Sequence, residues 1–243
     1  MTAKTLKVTA SNLEAYRLWR QFDFISTEEL FARIRGEKTP QTFEAQLGNA
    51  YHAFVLNPDR ADWEKWDDVI GTSEGIDFDN RTAEDALGDL LLPGATYEVW
   101  GRRYFSNYWA GNTIYFVTRM DAIFGNEIID LKVSLKSKDP VTRLDSHQWP
   151  LYCQAAHCRK FTYIDVQLKA INASAGYPQH GPHYQTVSAK PLTLYLSDSI
   201  GRDLKLAVID YLEFVENAGL LDFIDDAKKE DVETELTTGA TKP

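Results

Sequence analysis

At 243 residues, 44% of them apolar, the chain can build one large domain or two small ones around a sizeable core. A formal charge of −10 argues against a protein that coats nucleic acid over its whole surface. The only cysteines, Cys153 and Cys158, are too few for a cysteine-only cluster and poorly spaced for a disulfide. There is no apolar run of about 18 residues and no basic-then-apolar leader at Met1, so a cytoplasmic protein without a membrane span is expected.

Residues 8–35 open with Ser11 or Asn12 as a cap and restart at Ser26 or Thr27 with Glu29, which predicts two short helices. Thr39-Pro40 reads as a cap followed by proline at the first helical position, starting a third helix that stops before Pro58. It carries Gly48 and His52, four apart and so on one face. A glycine there costs roughly 1 kcal/mol relative to alanine, which close approach of another backbone would offset. A lone helical histidine is most often just a hydrogen-bonded imidazole. Residues 58–95 read as a variable connection with a helix near Thr82–Leu92. Tyr97–Tyr108 follows as a strand, with Glu98, Trp100, Arg102 and Tyr104 on one face, and Gly111-Asn112 turns it into the next hairpin.

That hairpin, Thr113–Ser134, is the most informative stretch. Two apolar, β-branched runs flank Gly125-Asn126, a dipeptide suited to a primed two-residue turn. Counting outward pairs Phe124 with Glu127, Ile123 with Ile128, Ala122 with Ile129, and Asp121 with Asp130. Like charges directly opposite are destabilising. Lys132 shares the Asp130 face, and IIDLKV is apolar enough for an interior strand. Two carboxylates so placed call for a divalent cation or strongly raised pKa values. The plainer alternative for an isolated Asp-x-Lys is a solvated hairpin face.

After a loop at Lys136–Pro140, a helix is predicted from Ser146 or His147 to about Lys160, with Pro150 in its first turn and Gln148 and Tyr152 on one face. Lys132, Lys136, Lys138, Arg143, Arg159 and Lys160 make this segment locally basic, and Arg143, Arg159 and Lys160 are candidate DNA contacts. Strands at Phe161–Asn172 and Thr186–Leu196, a long amphipathic helix at Ser199–Ala218, a short helix and a disordered tail from about Thr237 complete the chain.

The ordered set Gly48-x-x-x-His52, Asp121, Asp130-x-Lys132 and Gln148-x-x-x-Tyr152 resembles the RecB-like branch of the PD-(D/E)XK nuclease superfamily. The opening Thr9–Tyr16 resembles that branch as well, so the similarity spans about Val8 to Lys160. The resemblance implies an α/β, restriction-endonuclease-like core: a central mixed sheet flanked by helices. It also implies a single nuclease domain over 1–236, with a helical part at 8–57, a connection at 58–95 and a catalytic core at 96–220. His52, Asp121, Asp130 and the Leu131 carbonyl would be metal ligands. Asp121, Asp130 and Lys132 would be catalytic, Gln148 and Tyr152 would border the active site, and Glu98 resembles an acid found before the hairpin. Facing aspartates plus an imidazole suit Mg²⁺ or Mn²⁺. The cysteines that hold an iron–sulfur cluster in some members are missing, so no cluster is expected. The implied activity is metal-dependent DNA hydrolysis, as an exonuclease or end-processing enzyme of recombination or repair, with DNA ends, single- or double-stranded, and a helicase or recombination protein as the partners the resemblance implies. The alternative is a catalytically silent relative that binds DNA or a protein.

Overall fold

The computed structural model describes residues 3–38, 40–56, 70–88, 90, 94–137, 143–172 and 182–225, the side chains of 105–108 excepted. In chain order the elements are β1 (Thr5–Thr9), α1 (Ala10–Phe22), α2 (Thr27–Arg35), α3 (Phe43–Leu56), β2 (Ile70–Ser73), β3 (Ile76–Asp79) and α4 (Asn80–Leu87). There follow β4 (Thr96–Trp109), β5 (Asn112–Phe124), β6 (Glu127–Ser134), α5 (Gln148–Ala156), β7 (Lys160–Ile171), β8 (His183–Tyr195) and α6 (Asp198–Asn217), then a 3-10 turn at Leu221–Phe223. No helix among the described residues is long and apolar enough to cross a membrane. The tail from Thr237, like Thr39 and the whole 58–69 stretch, lies outside the described residues.

The strands form one mixed sheet in the order β1-β5-β6-β7-β8-β3-β2, with β4 also paired to β5. β1 with β5, β6 with β7, and β3 with β8 run parallel; the other pairs are antiparallel. Helices cover both faces through two separate cores. One gathers Leu13, Phe116, Ile128, Leu151, Phe161 and Tyr211; the other gathers Leu47, Tyr51, Phe78, Ile129, Leu131 and Ile164. Consecutive residues Ile128 and Ile129 enter opposite cores, as the period of two requires. Thus β6 is an interior strand buried on both faces, and this is the expected central mixed sheet flanked by helices.

β5 is forked. β4 runs along one of its edges, while the other is shared: β1 pairs with Thr113–Val117 and β6 only with Ala122–Phe124. The stretch Thr118–Asp121 therefore faces a split between β1 and β6. Two further strands in the connection, β2 and β3, had little sequence signal, because each is four residues long and carries no clean alternation. β1 carries equally little signal: it is five residues long and runs straight into the Thr9 cap of α1.

Several boundaries move for local reasons. The first helix is capped by Thr9, whose Oγ1 accepts from the Asn12 N–H at 3.2 Å, and not by Ser11 or Asn12. α3 begins beyond Pro40, with Thr42 Oγ1 accepting from the Ala45 N–H at 3.2 Å. α4 ends at Leu87, short of Leu92, and α5 ends at Ala156, short of Lys160, because His157 turns left-handed at φ 57°. The turn before β5 is centred on Ala110-Gly111, both at positive φ, one residue earlier than read.

Candidate active site

The hairpin register follows the sequence count for three pairs, Phe124 with Glu127, Ile123 with Ile128, and Ala122 with Ile129, and then stops. Asp121 and Asp130 are not a ladder pair. Where the strands part, Asp121 Oδ2 accepts the Leu131 backbone N–H at 2.8 Å, so a side chain satisfies a donor that the ladder leaves behind. On the other edge the pairing between β4 and β5 also skips Asp121, opposite Glu98 at φ 52°. Met120 packs in one core and Ala122 in the other, so the chain changes face at this aspartate.

Three elements aim polar groups at the split. From α3, His52 Nδ1 lies 3.5 Å from Asp121 Oδ1. From β6, Asp130 is 2% exposed, and Lys132 Nζ stands 2.6 Å from its Oδ2. That contact is off the direction a hydrogen bond needs, so Oδ2 is buried with no hydrogen-bond partner. From the N-terminus of α5, Gln148 Nε2 donates to Asp130 Oδ1 at a long 3.4 Å and to the Tyr152 hydroxyl at 3.0 Å. A buried carboxylate with one long hydrogen bond and one poorly directed ion contact is under-satisfied.

The electrostatics separate the two acids. Burial, reinforced by the Asp121 charge, raises the Asp130 pKa to about 6 even though Lys132 pulls it down. Burial also pushes on Asp121, but the His52 hydrogen bond and charge, the Lys132 charge and the Leu131 N–H outweigh it and hold the pKa below the usual value. Burial lowers the His52 pKa, and its two carboxylate neighbours reverse this to a net rise. Burial and the Asp130 charge raise the Tyr152 pKa, which keeps it a neutral hydroxyl.

The structure thus brings His52, Asp121, Asp130, Lys132, Gln148 and Tyr152 together, and the Leu131 backbone with them. It does not bring the others in. The Glu98 carboxylate is paired with Arg119 on the exposed side of β4. Lys160 is paired with Glu127 at the hairpin end, 2.7 Å away, and three residue steps along β6, roughly 10 Å, separate Glu127 from Asp130. Arg159 lies past the C-terminal end of α5, whose N-terminal end is the one at the acids. Arg143 lies close by but is held: its Nε and Nη2 donate to Asp165 Oδ1 at 2.9 and 2.6 Å. Among the described residues Gly48 has no close backbone neighbour of the kind expected, since a Cβ there would meet nothing within 4 Å. That glycine leaves room beside His52 and does not serve a close contact.

Sequence reasoning missed Asp165, Tyr163 and Glu14. Asp165 is in register with Lys132, and the Tyr163 ring has Lys132 Nζ at 5.9 Å and the Arg143 guanidinium at 5.5 Å. A charge inside the apolar run FTYIDVQL was the available signal. Glu14 accepts from the His147 N–H at 3.0 Å and the Ser146 hydroxyl at 3.2 Å, which ties α1 to the turn that launches Gln148. Contacts at that sequence separation leave no local signal.

Among the described residues, no three His, Cys, Asp or Glu side chains are grouped so as to hold a metal ion. Two carboxylates, one of them buried with a single long hydrogen bond and an ammonium contact, nonetheless suit a hard cation that keeps waters and substrate oxygens in its shell, as Mg²⁺ does.

No protein-family model and no curated protein matches the sequence. Among solved structures, the chain is similar to an alkaline exonuclease (LHK-Exo) from Laribacter hongkongensis, at 12% identity over 92% of this chain and 94% of that one, TM-score 0.44. LHK-Exo in complex with dAMP gives 13%, the same coverages and TM-score 0.43. A protein from Eubacterium rectale proposed to be an exonuclease gives 12% over 97% and 89%, TM-score 0.47. Likenesses of this size assign neither a substrate nor a residue role to this chain.

Proposed function

We propose that the protein is a divalent-metal-dependent deoxyribonuclease that hydrolyses phosphodiester bonds, working at DNA ends in recombination or repair. The observation that carries this reading is the under-satisfied Asp130 carboxylate beside Lys132, set against Asp121 and His52 where β5 and β6 part. Asp121 and Asp130 would hold Mg²⁺ or Mn²⁺, with the Leu131 carbonyl and His52 completing the protein's share of ligands. Bound there, the cation would supply Lewis-acid stabilisation of the charge that builds on the phosphodiester. The chain's own groups do the rest. Lys132 places an ammonium where an attacking water must be oriented and where negative charge develops. Gln148 fixes the Asp130 carboxylate, and Tyr152 fixes Gln148. His52 holds Asp121 from the far side.

The absence of a closed three-residue metal set among the described residues favours one other reading, a silent relative that binds DNA without cutting it. One assay separates the two: end-labelled and circular DNA, single- and double-stranded, incubated with Mg²⁺, Mn²⁺ or EDTA. Metal-dependent loss of linear DNA supports an end-acting nuclease, and cutting of circles an endonuclease. If every form stays intact with both metals, the binding reading replaces the hydrolytic one.

A further inference from the structure

At the opposite end of α5 from the acids lies a second concave site, a cavity of about 410 Å³ whose walls include Arg103, His157, Arg159, Arg202 and Lys205. Asp198 is the one carboxylate among its lining residues. Four permanent cations around one hollow run against a chain whose net charge is −10. Among the described residues, none of the four is ion-paired.

The hollow is built, not incidental. Arg103 reaches it from β4 and is held there: its Nη1 donates to the Gln154 main-chain oxygen at 2.7 Å and side-chain oxygen at 3.2 Å. Those bonds occupy a carbonyl at the negative end of α5. The opposite wall is the first turns of α6, which bring the positive end of a 20-residue helix together with Arg202 and Lys205. An anion placed here would meet guanidinium groups that can bond two oxygens at once, with Asp198 opposing it at the rim.

We propose that this pocket binds a phosphate of a nucleic-acid backbone and is a contact separate from the Asp121–Asp130 site. The identity of the ligand rests on the nuclease reading; the cation cluster does not. The nine residues of α5 span roughly 13 Å at about 1.5 Å each, or on the order of four steps of 3.4 Å along a strand. A strand entering the acid site can therefore reach the pocket a few nucleotides away.

The test is equilibrium binding of a fluorescein-labelled single-stranded oligonucleotide in EDTA, over a range of salt, so that no cleavage intervenes. The double variant Arg202→Glu/Lys205→Glu should bind at least tenfold more weakly at low salt. Its slope of log K against log [salt] should shrink by roughly 1.4, two contacts at about 0.7 each. The neutral pair Arg202→Gln/Lys205→Gln should show a smaller loss of the same sign. Reversal of two exposed lysines on β7 and β8, Lys169→Glu/Lys190→Glu, should leave the slope unchanged. An unchanged slope in the pocket variant, or an equal loss in the control, overturns the assignment. So does saturable binding of inorganic phosphate by a protein that does not bind the oligonucleotide. A protein that binds through the pocket but never hydrolyses DNA supports the pocket and removes the hydrolytic reading.

Discussion

Neutralising Asp130 should stabilise the metal-free protein, whereas neutralising Asp121 should weaken it. Burial first, with the Asp121 charge adding, lifts the Asp130 pKa from its ordinary 3.8 to about 6. A raised carboxylate pKa means that the native state binds the proton more tightly than the unfolded chain does. Stability therefore falls as pH climbs from about 4 to about 6, and the full penalty is present at neutral pH. Two units at 1.36 kcal/mol each set an upper scale of about 3 kcal/mol. Asp130→Asn keeps the shape and an acceptor for Gln148 but removes the charge; Lys132, 24% exposed, can turn to water. A net gain of about 1–2 kcal/mol at pH 7.5 is expected after the lost ion contact is subtracted. The lowered Asp121 pKa has the opposite sign: its stabilisation is present above the unfolded value and is lost as pH falls through the folded one. Asp121→Asn gives up charge-assisted bonds to His52 and the Leu131 N–H, about 1.5–3 kcal/mol. The assay is thermal melting in EDTA at pH 4 and pH 7.5, where 1 kcal/mol moves the midpoint of a domain this size by roughly 2–4 °C. At pH 7.5 Asp130→Asn should melt above wild type and Asp121→Asn below, and at pH 4 the Asp130→Asn advantage should vanish. Asp130→Asn melting below wild type at pH 7.5, or an advantage independent of pH, would refute the reasoning.

Saturating Mn²⁺ should reverse the order for Asp130, because a ligand at 100 times its Kd stabilises wild type by about 2.7 kcal/mol and the asparagine variant has lost a ligand; melting with and without metal checks this. Gly101→Ala should destabilise by about 1–3 kcal/mol in urea titration, since the new Cβ would sit 2.7 Å from Thr118 Oγ1 and 2.8 Å from Met120 Cε where β4 pairs with β5. Gln148→Ala should lower the hydrolysis rate roughly tenfold, the scale of about one hydrogen bond, while the melting point moves little. The purified protein should be colourless, without an iron–sulfur band near 400 nm, because Cys153 and Cys158 are its only cysteines.

What was legible in the sequence was what short-range geometry controls. The Gly125 turn fixed three pairs of the hairpin, and apolar residues on both parities of IIDLKV marked β6 as interior. The same counting failed one pair further on, at Asp121. There β5 exchanges β6 for β1, a choice made by β1, 108 residues earlier, which pairs in parallel and leaves no mark near the hairpin. The basic run from Lys132 to Lys160 read as one surface because sequence distance is blind to strand direction. In space Lys132 faces Asp130, Lys160 faces Glu127, and Arg143 is committed to Asp165. Glu14 and Asp165 position the site from elements far off in sequence, and a single chain gives no means of pairing them with Ser146 or Arg143 in advance.

The most direct measurement is the release of acid-soluble nucleotides from linear DNA by wild type and by Lys132→Ala, each with Mn²⁺ and with EDTA. Wild type with Mn²⁺ should degrade the DNA, and wild type in EDTA should not. Lys132→Ala should fall by at least a hundredfold, the scale of losing one group that stabilises developing charge, while still gaining thermal stability from Mn²⁺. Undiminished release by Lys132→Ala, or intact DNA in every lane, would contradict the assignment of this site.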